Sequence, residues 1–291
     1  EYTIFVKDTV GVSGTQVMNS KNVNDTKLSG DKLLWTNPVT LKTYTMNESS
    51  PFRIDRQIYD DQLLRDSMNY FYQNRSGIDI EEKYITSGET SKLAHKGGHK
   101  EDTASVQKIW KNEYASEAEA TSTYASSKIA ANGGWYDAGD HGKYVVNGGV
   151  SVWTLQNTYE LAKKIGTAGK FDDGKVMSIP ENSNGYPDIL DEARYELEWM
   201  YKMIVDSKDP FWGKEFENFV YHKLHDHKWT GLATKAWDYE KEWGTTRIVK
   251  PPTYAATLNV AACAAQAARL WKGIDDKFAE QSLEIAERTR S

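Results

Sequence analysis

Gly133-Gly134-Trp135-Tyr136-Asp137-Ala138-Gly139-Asp140-His141-Gly142-Lys143-Tyr144 sets two carboxylates three residues apart in a glycine-flanked loop that leads into a helix-forming stretch. Ala138 and Gly139 between them permit a tight turn that brings both side chains to one small volume. Two carboxylates so placed can accept both hydrogens of one water, aim its lone pair at an electrophilic carbon and supply a general base. Taken on Asp137–Asp140 alone, the plainer reading is a turn followed by a helix N-cap, because Asp and Gly favour turns and Asp caps helices. A hard cation bound by the carboxylates is a third reading, but no EF-hand spacing accompanies it.

Outward from this loop the chain reads as helical. A helix is expected from about Val145 to Lys164, and another opens at Pro187, where the missing proline N–H suits the first turn. Asp188, Asp191 and Glu192 place negative charge where the helix dipole favours it. Leu190, Ala193, Leu197, Met200 and Ile204 form the apolar stripe. Thr253 caps an alanine-rich helix reaching Trp271, with Cys263 as a small core residue, and a last helix spans about Asp276–Arg290. Upstream, Leu64, Met68 and Phe71 share one face of a helix over Asp60–Arg75, ended by Gly77. Between it and the acid loop, Ser76–Asn132 is a long polar stretch, unusual in a compact domain. Within it Ala115–Ile129 has a helix-favouring composition. Pro210–Trp243 reads as aromatic-rich loops. No βαβ alternation is present, which argues against a Rossmann or TIM architecture.

Residues 1–50 differ. Tyr2, Ile4 and Val6 alternate with Thr3, Phe5 and Lys7, and Leu33–Met46 is β-prone, broken at Asn37-Pro38. The 291 residues carry a net charge of −6, with 39% hydrophobic and 27% charged side chains, which excludes a disordered chain and the basic surface of a nucleic-acid binder. No run of about 18 apolar residues occurs, so no membrane helix is expected. The one cysteine rules out a disulfide framework or a cysteine-based metal cluster.

The acid loop resembles the signature of glycoside hydrolase family nine, the inverting cellulases. Asp66–Gly77 (DSMNYFYQNRSG), Gly134–Val146 (GWYDAGDHGKYVV), Ile179–Glu192 and Lys250–Arg269 (KPPTYAATLNVAACAAQAAR) agree with it in the family's order. The resemblance implies a mainly α fold, an (α/α)6 barrel present only in part, preceded by part of an immunoglobulin-like β-sandwich. Residues 1–54 would be the end of that β domain plus a linker or insertion, and 55–291 the N-terminal half of the barrel. It implies hydrolysis of β-1,4-glucosidic bonds in cellulose or a related β-glucan, outside the cell, with Asp140 as general base and Asp137 holding the water. Trp135, Tyr136 and His222 are then candidates for substrate binding, the first two set against simple loop packing. Trp212, Trp229, Trp237 and Trp243 are further candidates for a cleft wall.

Two features depart from the family pattern. The Asn-Glu segment that supplies its general acid is absent, so the chain reads as lacking the C-terminal half of the barrel and is expected to be inactive alone. The positions matching a family zinc site are Ser76, Gly98, His99 and Tyr136, of which only His99 could ligate, so no zinc is expected. No cofactor is required for the chemistry, and structural calcium stays open. The rivals are a non-catalytic polysaccharide-binding or scaffold protein on the same fold, and the same machinery acting on another β-glycan.

Overall fold

In a computed structural model of the chain, the described residues are the strands within 1–58 and residues 59–290 apart from 112–113, 228–229, 232–233 and 239–246. The chain divides into two units, Glu1–Ile58 and Tyr59–Ser291. The first holds an antiparallel pair, β1 (Phe5–Lys7) with β2 (Thr15–Val17), and a meander of β3 (Thr26–Ser29), β4 (Lys32–Thr36) and β5 (Thr43–Met46). In the meander β4 pairs antiparallel with both β3 and β5.

The second unit is mainly helical. Its long helices are α1 (Asp61–Gln73), α4 (Val145–Ile165), α5 (Asp188–Lys202), α7 (Tyr254–Trp271) and α8 (Asp276–Thr289). Short α2 (Thr90–Leu93), α3 (Glu117–Ser122) and α6 (Gly213–Phe216) lie in the connections. The starts follow from side chains: Asp60, Thr253 and Asp275 each accept a hydrogen bond from a first-turn amide. Pro187 is the N-cap of α5 rather than its first residue, and α5 ends before Ile204. The α4 helix ends on Gly166 in the left-handed conformation.

The α4 helix packs on both α5 and α7, and α7 packs on α8. Gly148 and Gly149 make the double contact possible. A Cβ at Gly148 would overlap the Glu196 carboxyl of α5, and one at Gly149 would overlap the Asn259 amide of α7. The outer face of α4 carries exposed Val150, Trp153, Leu161 and Ile165, and α7 exposes Tyr254 and Leu258.

The polar stretch before the acid loop is not structureless. It contributes β6 (Thr103–Gln107) and β7 (Tyr124–Ala130) to a five-stranded sheet ordered β7-β6-β10-β9-β8, with β8 (Lys143–Tyr144), β9 (Lys223–Asp226) and β10 (Arg247–Val249). Only Glu117–Ser122 of the helix-favouring 115–129 segment is helical. The rest pairs antiparallel with β6, since tertiary pairing overrides a weak local propensity. The β10–β6 pair is parallel and the other pairs are antiparallel.

Two buried carboxylates of α5 join the helices to the loop. Arg75, just beyond α1, meets Glu192 through two nitrogens at 3.0 and 2.9 Å and Glu181 at 2.8 Å. Glu196 accepts the Trp135 amide at 2.6 Å, and burial pushes its carboxyl up to about 8. A carboxyl raised in the folded state stabilises fully below its unfolded value and loses that contribution as pH rises through about 8. Glu196→Gln should therefore flatten the fall in melting temperature between pH 5 and pH 8; an unaltered pH profile would contradict the assignment.

Candidate active site

The acid loop is pinned at both ends by the backbone. Ser76 and Tyr136 donate their amides to Gly134 and Asn74, at 2.8 and 2.9 Å, which ties the loop to the exit of α1. Asp137 N–H then closes on the Gly142 carbonyl at 3.0 Å, making a turn with the two acids on its rim. Asp140 Oδ2 accepts the Gly142 amide at 3.1 Å, and Asp137 Oδ1 accepts from the Asn147 side chain of α4 at 2.8 Å. Asp137 is exposed and Asp140 half-buried. The phenol of Tyr144 is pushed up by burial and then by the charges of Asp140 and Asp137, which places both acids beside one ring. At Gly142 a Cβ would sit 2.6 Å from Asp140 Oδ2 and 2.6 Å from the Tyr144 ring, so only glycine leaves the carboxylate its place.

Beneath the turn lies a buried set of four charges. Asp102 faces Arg247 through two nitrogens at 2.8 and 3.2 Å and Lys143 at 2.6 Å. Lys143 Nζ also donates to the Ala131 and Gly133 carbonyls at 2.6 and 2.8 Å. Arg247 donates to the His141 carbonyl at 2.9 Å and to Asp226 at 3.0 Å. Two cations and two anions cancel, and each cation also holds a loop carbonyl. Burial works against charge on Asp102, yet Arg247 and Lys143 hold it well below the usual carboxylate range. Burial draws Lys143 down to about 8.

His222 reaches the same place from far along the chain. Its carbonyl accepts the Val145 amide at 3.1 Å, at the point where the loop becomes α4, and Lys223 lies opposite Tyr144 in the β8–β9 pair. Its Nδ1 lies 2.8 Å from Thr253 Oγ1, the same oxygen that caps α7 by accepting the Ala256 amide. The threonine hydroxyl can donate to Nδ1 or accept from it, so the contact holds the ring in place whichever nitrogen carries the proton. Burial and then Lys223 lower the imidazole, keeping it neutral.

Trp135 and Tyr136 face inward. The Trp135 indole is buried, donates to Glu192 at 2.9 Å and tilts against Phe71 at 5.0 Å. That contact set gives the Trp135 indole a place in the packing beneath the loop. Tyr136 hydrogen-bonds His99 Nδ1 at 2.7 Å and touches the Ser76 hydroxyl, and His99 also meets His141 edge-on. Tyr136 too belongs to the loop's support rather than to its rim. The four positions of the zinc reading therefore do converge, since Gly77 bonds to the Gly98 carbonyl as well. Their donors do not suit the metal: one imidazole is present, and burial pushes the Tyr136 phenol up so that it stays protonated. Among the described residues no group of three or more His, Cys, Asp or Glu is arranged to hold a metal ion. Trp212 donates its indole N–H to the Gln107 carbonyl, and Trp237 stacks on His95 at 4.6 Å. Trp229 and Trp243 lie outside the described residues.

Asp102, Arg247 and Asp226 were not legible as site residues, being isolated charges with no local pattern. Lys143→Met would leave Asp102 half-neutralised and two carbonyls unpaired in the interior, and should cost about 3 kcal/mol or more of stability. Denaturant unfolding of the variant reads this directly, and a loss below about 1 kcal/mol would contradict it.

Comparison with known proteins places this arrangement. Residues 59–289 match the model of glycosyl hydrolase family 9. The chain is 44% identical over 247 residues to a cellulose 1,4-beta-cellobiosidase of Acetivibrio thermocellus, covering 83% of this chain and 26% of that protein. It is 42% identical over 242 residues to endoglucanase C of Cellulomonas fimi, covering 83% and 20%. A metagenome-derived family 9 endoglucanase of known structure superposes with a TM-score of 0.61 at 29% identity, over 79% of this chain and 35% of that one. The chain thus spans about a quarter of the length of these curated relatives, and no helix among the described residues is long and apolar enough to cross a membrane. On the family match across 59–289, the chain belongs to glycosyl hydrolase family 9.

Proposed function

We propose that this chain forms part of an inverting β-1,4-glucanase in which Asp140 is the general base and Asp137 positions the attacking water. The observation that carries the reading is the turn itself. Each acid has one oxygen engaged, by the Gly142 amide or by Asn147. The other oxygen of each has no hydrogen-bond partner among the described residues and is free to accept from one water. Inversion requires a base that deprotonates water opposite a distant acid, with room between base and sugar for that water. The general acid would come from sequence outside these residues, as the partial coverage of the relatives suggests. The exposed apolar faces of α4 and α7 suit burial against the remaining helices of an (α/α)6 barrel. In the same reading residues 1–54 are the end of an immunoglobulin-like domain plus a linker or insertion, and the enzyme works outside the cell. His222 would hydrogen-bond a sugar hydroxyl.

A second reading concerns the glycan. A relative from Bacteroides ovatus, 30% identical over 225 residues, is a xyloglucan-specific endo-beta-1,4-glucanase. The same machinery on a substituted β-glucan is therefore a specific alternative, separable by product analysis on cellulose and xyloglucan.

In the full-length protein Asp140→Asn should lower kcat on soluble cellulose by about 100-fold or more. Proton NMR of the first products should show the α-anomer; a β-anomer product would refute inversion. Gly142→Ala should lower kcat by about 10-fold or more with little change in melting temperature, because the added methyl displaces the Asp140 carboxylate. Residues 1–291 alone should release no sugar, and release that disappears with Asp140→Asn would overturn the split of acid and base between two parts of the chain.

A further inference from the structure

Beside the acid loop one large aromatic side chain is exposed on a backbone that is held from both sides. Trp110 is 47% exposed. It follows β6, where buried Lys250 donates to Gln107 Oε1 at 2.8 Å and to the Lys111 carbonyl. The Gln107 carbonyl takes the Trp212 indole, and the Lys108 amide bonds to the Thr123 carbonyl. An indole this exposed on so fixed a backbone is preorganised for a flat apolar partner.

Its neighbours tie it to the acid pair. The imidazole of His222 stands edge-on to the indole at 5.0 Å and 77°. The ammonium of Lys223 lies 5.8 Å from the Trp110 ring and 5.1 Å from the Tyr144 ring, and it feels the charge of Asp140. Asp140, Tyr144, Lys223, Trp110 and His222 thus form one continuous row. It combines an apolar face, an imidazole held in place by Thr253 and a carboxylate, the mixture needed to grip a ring that is apolar on its faces and hydroxylated at its rim.

We propose that Trp110 is a stacking platform for a glucosyl unit of the chain that lies across Asp137 and Asp140, with His222 as the polar contact to the same unit. This rests on the glucanase reading and adds to it a binding residue that no local sequence pattern marks. Lys223, opposite Tyr144 in the sheet and against both rings, sets the distance between platform and base.

The test uses the full-length protein carrying Asp140→Asn, which keeps the substrate intact, with cellohexaose as probe in calorimetric titration. Adding Trp110→Ala should weaken cellohexaose binding about 10-fold, whereas Trp110→Phe should stay within about threefold, with both melting as the parent does. On the active enzyme Trp110→Ala should raise KM far more than it lowers kcat. Cellohexaose binding by the parent that is indifferent to residue 110, or lost equally in the Ala and Phe variants alongside a lowered melting temperature, overturns the platform alone. Failure of the Asp140→Asn parent to bind cellohexaose at all overturns the glucanase reading and the platform with it.

Discussion

Everything at the acid turn hangs on the two buried cations beneath it. Lys143 and Arg247 each bond to Asp102, and each also grips carbonyls of the turn, at Ala131 and Gly133 on one side and His141 on the other. A buried ion pair seldom stabilises a fold more than apolar residues of the same volume would. Here the charges have a directional task that apolar packing cannot perform. They hold backbone oxygens of a glycine-rich loop, which has few side chains to pack and much freedom to lose. With the base of the turn so fixed, the carboxylates on its rim can hold their places while staying open to solvent in whole or in part.

The same division of labour runs through the surrounding shell. Glu192 and Glu196 on α5 take the indole and amide of Trp135, while Arg75 closes the charge balance toward α1. The aromatic and imidazole groups that flank the acids in sequence, Trp135, Tyr136 and His141, all turn inward to this shell. Tyr144, His222 and Trp110, grouped around Lys223 on the other side of Asp140, arrive from the end of the turn or from distant parts of the chain.

Helix periodicity made much of the fold legible. The α1, α4, α5, α7 and α8 helices fall within one or two residues of the expected spans, because capping residues and apolar stripes are local signals. The five-stranded sheet was not legible. Its strands are short, β8 having two residues, and of the two partners that flank β6 in the sheet, β7 follows closely in the chain while β10 comes about 140 residues later. Asp137 and Asp140 stood out through the family-like segments around them, since their spacing alone reads more plainly as a turn before a helix N-cap. Trp110 and Arg247 did not, since nothing in their neighbours' identities states that Trp110 meets His222 or that Arg247 meets Asp102 and Asp226. The inward turn of Trp135 was not legible for a similar reason: aromatic character beside an acid does not encode which face of a loop it takes.

The sheet under the turn has a consequence for how the protein acquires its active form. Its strands come from residues 103–107, 124–130, 143–144, 223–226 and 247–249, so the carboxylates are ordered by contacts that close very long loops. Non-local pairing of this kind is slow to form, because the entropy of closing the loops is lost before the contacts return it. The helices can collapse early from local signals, whereas the turn gains its shape only when β10 slots between β6 and β9 and carries Arg247 beneath it. The acid turn should therefore take shape after bulk helicity in this unit, and a chain arrested before that insertion would be helical and collapsed with its two carboxylates not yet in place.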